Sequence, residues 1–300
     1  MTNIIEVTDL KKHFSSFGIK GRYLVKAVDG ISFQVEKGEV FGFLGPNGAG
    51  KTTTIRCIMD FIRPTSGSIK IFNKDAHTKS VSLKKKIGYL PGNVQLHDKW
   101  TGQDHIDFIE SLKGKSKDAK DLIKRFDFDP RRKFKHYSSG NKQKLGLILA
   151  LMHEPKLLVM DEPTLGLDPI LQNEVYEIFD ELREKGHTIF VSSHNLPEVE
   201  KICDRVGIIK EGKLVGIEKV SSLGEKRLCK IIVRFDAEFK KADFEFDGVE
   251  RIEELSDGLI LTVRGDINPI VEKLAGYKLH DLEISHATLE DVFMEFYKGE

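Results

Sequence analysis

Residues 45–53 read Gly45-Pro46-Asn47-Gly48-Ala49-Gly50-Lys51-Thr52-Thr53, and this stretch decides the fold. It fits the pattern G-x-x-x-x-G-K-[ST] in full. Val40 to Leu44 before it is an apolar run of strand type, and Thr53 to Phe61 after it reads as the start of a helix, so the order is strand, loop, helix. Each residue type has a chemical reason. Glycines let successive backbone N–H groups turn inward around a phosphate without Cβ clashes. The helix N-terminus adds the positive end of its dipole. Lys51 supplies a charge for the β- and γ-phosphates of a nucleotide, and the Thr52 hydroxyl is a ligand for Mg²⁺. A turn matching the pattern by chance is the competing reading, and the strand–loop–helix context speaks against it.

Working outward, Lys156-Leu157-Leu158-Val159-Met160-Asp161-Glu162-Pro163-Thr164 is an apolar strand that ends in two carboxylates. Continuous apolar runs are typical of buried parallel strands, whose C-terminal ends face the ligand crevice of an open α/β sheet. Asp161 is placed to hold Mg²⁺ or its water. Glu162 is the candidate general base that orients an attacking water. A surface turn after a core strand would look the same in isolation, and the loop at 45–52 favours the functional reading.

The bulk properties narrow the class. The 300 residues carry 47 Lys+Arg and 47 Asp+Glu, a formal net charge of 0, which argues against a nucleic-acid-coating cation. Two basic runs, Lys84-Lys85-Lys86 and Arg131-Arg132-Lys133, read as solvated surface. The longest apolar run is Leu145 to Met152, whereas crossing a bilayer takes about 20 apolar residues, so no crossing is expected. The first residues have no basic segment followed by an apolar one, so a secretory leader is not expected. Cys57, Cys203 and Cys229 are odd in number and widely spaced, which favours a reducing compartment and three small buried hydrophobes.

The neutral total hides an asymmetry. Residues 221–300 hold 11 basic and 18 acidic side chains, net −7, so residues 1–220 are net +7. The text changes at the same place. Val206 to Ile209 and Leu214 to Ile217 read as strands around the turn Lys210-Glu211-Gly212-Lys213, and a new α+β pattern follows Ser221-Ser222-Leu223-Gly224. In it Lys230 to Phe235 and Gly258 to Arg264 read as strands. Ile267 to Ala275 and Thr288 to Tyr297 read as helices, the latter with Leu289, Val292, Phe293 and Phe296 on one face. The expected architecture is an α/β P-loop domain over 1–220 and a small α+β domain over 221–300.

Tyr137-Ser138-Ser139-Gly140-Asn141-Lys142-Gln143-Lys144 resembles the L-S-G-G-Q signature of ABC-type ATPases. Leu165-Gly166-Leu167-Asp168 resembles their D-loop, and Ser192-Ser193-His194 their switch histidine. Five motifs in the family's order cover residues 4 to about 217. Residues 218–300, with Ala287-Thr288-Leu289-Glu290-Asp291-Val292-Phe293, look like the extension on ATPase subunits of ABC-2 type exporters. The resemblance implies a dimer that sandwiches two ATPs and powers a separate membrane permease from the cytoplasmic face of the cell membrane. The second ATPase would be another copy or a paralogue. Ser138 and Gly140 would contact the γ-phosphate of the ATP bound to the other subunit, and His194 would sense it from its own. Glu162 and His194 are then the catalytic candidates, and Thr52 and Asp161 the Mg²⁺ ligands. Phe14, in Leu10-Lys11-Lys12-His13-Phe14, occupies the place of the aromatic residue that stacks on adenine, with Phe17 and Tyr23 as alternatives.

Two departures stand out. Ser139 and Asn141 replace the usual glycine and glutamine of the signature. After Ile87-Gly88-Tyr89-Leu90-Pro91 the family often has a glutamine that touches Mg²⁺ and the lytic water, and this chain has Gly92, with Asn93 and Gln95 nearby; Gln95 is the expected stand-in. The resemblance also implies a helical subdomain at about 90–150, where a helix of the permease would dock in a groove lined by several of Trp100, Phe108, Ile109, Phe126 and Phe128. The alternative is a soluble ABC ATPase acting on nucleic acid or ribosomes. Only about 90 residues separate the phosphate loop from the signature, which leaves no room for the long coiled coil of repair ATPases, and there is one ATPase domain where translation-type members usually have two.

Overall fold

The computed structural model describes residues 2–18, 21–221, 228–236 and 239–286. The chain divides into two compact units, Met1–Ile217 and Glu218–Glu300. The first contains strands β1 (Asn3–Gly18), β2 (Gly21–Glu36) and β3 (Val40–Leu44), helix α1 (Lys51–Ile58), β4 (Ser66–Ile71), β5 (Lys74–Asp75), α2 (Ser80–Lys84) and β6 (Ile87–Leu90). Then follow α3 (Gly102–Lys113), α4 (Ala119–Arg125), α5 (Ser139–Leu151), β7 (Leu157–Asp161), α6 (Pro169–Glu184), β8 (Thr188–Ser193), α7 (Leu196–Ile202), β9 (Arg205–Lys210) and β10 (Lys213–Lys219), whose end passes the unit boundary.

Two sheets organise this unit. One has the order β2-β1-β4-β5 and antiparallel pairing. The other has the order β10-β9-β3-β8-β7-β6, with β9, β3, β8, β7 and β6 parallel. Every residue of β3, β7 and β8 is buried, as expected for parallel strands covered on both faces. The sheets meet through aromatic packing: the Phe33 ring of β2 lies 5.7 Å from Phe41, 5.4 Å from Phe43 and 5.9 Å from Phe190. On β3, a Cβ at Gly42 would lie 2.8 Å from Cys203 Sγ and 3.1 Å from Val199 Cγ1, so only glycine lets α7 and the residue after it sit this close to the strand. Cys57, Cys203 and Cys229 are all buried.

Between β6 and β7 the chain is helical. Thr101 caps α3 with a reciprocal box: its hydroxyl accepts from the Asp104 N–H, and the Asp104 carboxylate accepts from the Thr101 N–H. Arg125 of α4 forms ion pairs with Glu174 and Glu181 of α6, which fastens the helical segment to the rest of the unit. Of the five residues among which several were expected on a docking groove, Phe126 and Phe128 are core, 0% and 5% exposed. They close the interior of the segment together with Phe134 and Tyr137. Phe108 is exposed, and half-buried Trp100 packs among His97, His105 and Phe108.

The second unit pairs β11 (Leu228–Phe235), β12 (Val249–Glu254), β13 (Gly258–Arg264) and β14 (Leu279–His286) in the antiparallel order β12-β13-β11-β14. Helix α8 (Asn268–Leu274) adds Ile270 and Leu274 to a core of Ile231, Val233, Phe244, Leu259, Leu261 and Val263. The expected helix over Thr288–Tyr297 lies outside the described residues. Among the described residues, no helix is long and apolar enough to cross a membrane.

Candidate active site

The site grows from the C-terminal ends of β3, β7 and β8, three adjacent parallel strands. The loop after β3 holds an unusual backbone. Gly50, at the N-cap of α1, has φ 110°, a value that strains any residue with a Cβ. A Cβ at Gly45 would lie 2.3 Å from the Ile209 carbonyl oxygen. The Lys51 side chain is 6% exposed. Its ammonium donates to the Gly45 carbonyl at 2.6 Å and to the Pro46 carbonyl at 3.3 Å, and it pairs with Glu162 Oε1 at 3.3 Å. The loop thus curls back around the lysine that begins the helix.

At the end of β7, Asp161 is almost fully buried. Its Oδ2 accepts from the Thr52 hydroxyl at 2.7 Å, and its Oδ1 from the Ser192 hydroxyl of β8 at 2.5 Å. Glu162 follows with φ 52°, the left-handed region that costs a non-glycine residue about 1–2 kcal/mol. Its neighbours hold it there. The Glu162 N–H donates to the Ser192 carbonyl at 3.1 Å. The buried Gln143 amide of α5 donates to the carbonyls of Glu162 at 3.2 Å and Pro163 at 2.8 Å. In this conformation the two carboxylate oxygens point to different partners. Oε1 faces Lys51, and Oε2 accepts from Nδ1–H of His194 at 2.7 Å.

These groups border a cavity of about 420 Å³ lined by Pro46, Asn47, Gly48, Gly50, Lys51, Thr52, Thr53, Asp161 and Glu162, together with Ala27, Arg56, Tyr89, Pro91, Gly92 and Asn93. Gly45 and Ala49 are buried beside it. His194 reaches it through Glu162. Several of the sequence candidates stand apart. Phe14 is 40% exposed on the β1–β2 ribbon, where the Lys12 ammonium lies 4.9 Å from its ring, and it does not line the cavity. Tyr23 does not line it either, and the Phe17 side chain lies outside the described residues. Ser138 caps α5, its hydroxyl accepting from the Asn141 N–H at 3.3 Å. A Cβ at Gly140 would lie 3.0 Å from the Gly166 carbonyl oxygen, so the start of α5 abuts the 165–168 loop of the same chain. In the loop after β6, Asn93 lines the cavity while Gln95, the expected stand-in, is exposed and outside it. Gly92 lies against Asp161, where a Cβ would be 3.1 Å from Oδ2.

Sequence reasoning missed several contributors. Ser192 and Gln143 sit inside motifs it recognised, but nothing in the spelling shows that Ser192 grips Asp161 or that Gln143 anchors the acidic turn. Tyr89 and Arg56 reach the cavity from β6 and α1. Burial pushes the Tyr89 hydroxyl pKa up, and the Asp161 charge adds to the effect.

A curled glycine loop, a buried lysine and an acidic strand end on a parallel sheet define a P-loop nucleotide hydrolase. The comparisons with known proteins specify which. The ABC transporter family profile matches residues 28–165. The bacitracin transport ATP-binding protein BcrA of Bacillus licheniformis is 34% identical over all of this chain and 99% of its own length. The linearmycin resistance ATP-binding protein LnrL of Bacillus subtilis is 39% identical over 63% of each chain. A solved ATP-binding subunit of an ABC transporter superposes with a TM-score of 0.64 at 28% identity, covering 74% of this chain and 92% of that one. The chain belongs to the ATP-binding subunits of ABC transporters; it binds ATP and is an ATPase.

Proposed function

We propose that the protein works as a dimer around two ATPs to drive an ABC-2 type permease, as an exporter, from the inner face of the cell membrane. The observation that carries the hydrolytic part is the divided carboxylate of Glu162, one oxygen on Lys51 and the other on His194. Lys51 leaves Glu162 for the phosphates when ATP binds. Oε1 is then free to accept a proton from the attacking water, while His194 keeps Oε2 in place. Thr52 and Asp161 offer hard oxygens 2.7 Å apart, a donor set that fits Mg²⁺, which takes one or two protein oxygens beside phosphate oxygens and water. Bound there, Mg²⁺ would neutralise charge on the phosphates.

The dimer reading rests on Ser138 and Gly140. They open α5 with exposed or half-buried backbone, outside the cavity of their own chain, and a second copy would bring them to its γ-phosphate. Phe14 would stack on the adenine with its exposed ring. Exposed Phe108 and Leu112 of α3, beside Trp100, form the surface offered to the permease. BcrA is named for bacitracin transport and LnrL for linearmycin resistance, which supports the reading as an exporter.

Glu162→Gln tests the hydrolytic reading. Turnover should fall by roughly 10²–10⁴-fold, the range for a general base. ATP binding should persist, and size exclusion with ATP and Mg²⁺ should show an accumulated dimer. Normal hydrolysis by the variant refutes the role of Glu162. Fractionation of cells with and without the neighbouring permease gene tests the rest: recovery with membranes only when the permease is present supports it, and co-purification with ribosomes in both strains overturns it.

A further inference from the structure

Glu198 of α7 is 3% exposed and has no part in the chemistry described so far. Its two carboxylate oxygens hold two hydroxyls from different segments, the turn after β7 and the last residue of β8. Oε1 accepts from Thr164 Oγ1 at 2.6 Å, and Oε2 accepts from Ser193 Oγ at 2.5 Å. Thr164 lies two residues after Glu162 and opens the turn that leads to Asp168, its carbonyl accepting from the Leu167 N–H at 3.1 Å. Ser193 directly precedes His194. Its carbonyl accepts from the Gly45 N–H at 3.3 Å, and its hydroxyl accepts from the Asn195 N–H at 2.9 Å.

We propose that Glu198 is a positioning residue for hydrolysis: by holding Thr164 and Ser193 on its two oxygens, it sets the distance between the backbone that carries Glu162 and the backbone that carries His194. The proposal rests on the roles assigned above to those two residues. A buried carboxylate is a costly way to fill space, because desolvation penalises its charge and an apolar side chain of the same size would pack without that penalty. Burial pushes the Glu198 carboxyl pKa up, and the two hydroxyls act against this by bonding to the charged form. The carboxylate gives each of the two hydroxyls its own charged acceptor. Glutamine at this position keeps one acceptor and turns the other into a donor, so one hydroxyl must reverse its role and both bonds lose the charge that strengthens them. What the bridge controls is the 2.7 Å contact between His194 Nδ1 and Glu162 Oε2, and a shift of about 1 Å at such a contact is enough to cost on the order of 10²-fold in rate.

The test is a double-mutant cycle on the full-length protein, with kcat, the KM for ATP and nucleotide-binding stoichiometry measured for each variant. Glu198→Gln should lower kcat by between about tenfold and 10²-fold, with KM and stoichiometry unchanged. In the His194→Ala background the same change should have no further effect beyond about twofold, because residues acting through one contact are not additive. Thr164→Val, which removes the Thr164 arm and keeps the side-chain shape, should behave in the same way and carries the test if Glu198→Gln does not fold. Losses that multiply with that of His194→Ala mean that Glu198 only supports the fold and overturn the proposal. Wild-type turnover in both Glu198→Gln and Thr164→Val overturns it as well. Wild-type turnover in His194→Ala alone is a different failure, which removes the role of His194.

Discussion

At the scale of single residues the site depends on charges placed where a phosphate would lie. Lys51 is held almost out of solvent by two carbonyls and Glu162, so its ammonium is fixed in place before any ligand arrives. Lys51→Ala should weaken nucleotide binding by a factor on the order of 10², since a charge-assisted bond contributes about 1.5–3 kcal/mol; unchanged affinity for a fluorescent ATP analogue would refute the assignment of the loop. The loop after β6 gives a second contrast. Asn93→Ala should lower turnover more than binding, and Gln95→Ala should leave both unchanged, because only Asn93 lines the cavity; steady-state kinetics of the two variants decide it. The sequence makes the identities of Lys51, Thr52, Asp161 and Glu162 legible because their spacing is written in the chain. The left-handed backbone of Glu162 and the bridge at Glu198 were not legible. Each needs a partner some 30 residues away, Ser192 for Glu162 and Thr164 for Glu198, and no local spacing records those.

At the scale of elements the helical segment shows how packing overrides a surface reading. Phe126 and Phe128 look like interface residues in a charged stretch, yet the turn after α4 directs both inward. On α3 the buried His105 accepts from the His97 N–H through Nε2 at 3.2 Å and donates from Nδ1 to the Thr101 carbonyl at 2.7 Å, which requires the neutral ring. Burial lowers its pKa, opposed by the Thr101 bond and the Asp104 charge and reinforced by His97. The unfolded chain therefore binds a proton near the ordinary histidine pKa of about 6.5 that the folded chain refuses. His105 contributes stability that is fully present above that pH and is lost as the pH falls below it. The urea midpoint should drop between pH 7.5 and 5.5, and drop less in His105→Gln; identical slopes in the two proteins would show that His105 does not titrate across folding.

At the scale of the whole molecule, the charge changes sign near residue 220. The division at Ile217 and Glu218 separates two units, each with its own apolar cluster. In the second unit β11, β13 and α8 were legible, since their apolar residues recur at strand or helix spacing. Strands β12 and β14 were not, because every residue of β12 is at least partly exposed and its spelling Val-Glu-Arg-Ile-Glu-Glu reads as solvated surface; pairing with β13 makes it a strand. Separate cores have a measurable consequence. Phe244 is completely buried, 5.7 Å from the Phe235 ring and 5.5 Å from that of Tyr277. Phe244→Ala should destabilise the second unit by about 3–5 kcal/mol, the usual loss for a buried phenylalanine, seen as faster hydrogen exchange in β11 and β13. The phosphate loop belongs to the other unit, so affinity for ATP should stay within about twofold of wild type, the spread expected when two sites act independently. A parallel loss of ATP binding in this variant would show that the two units fold as one cooperative body.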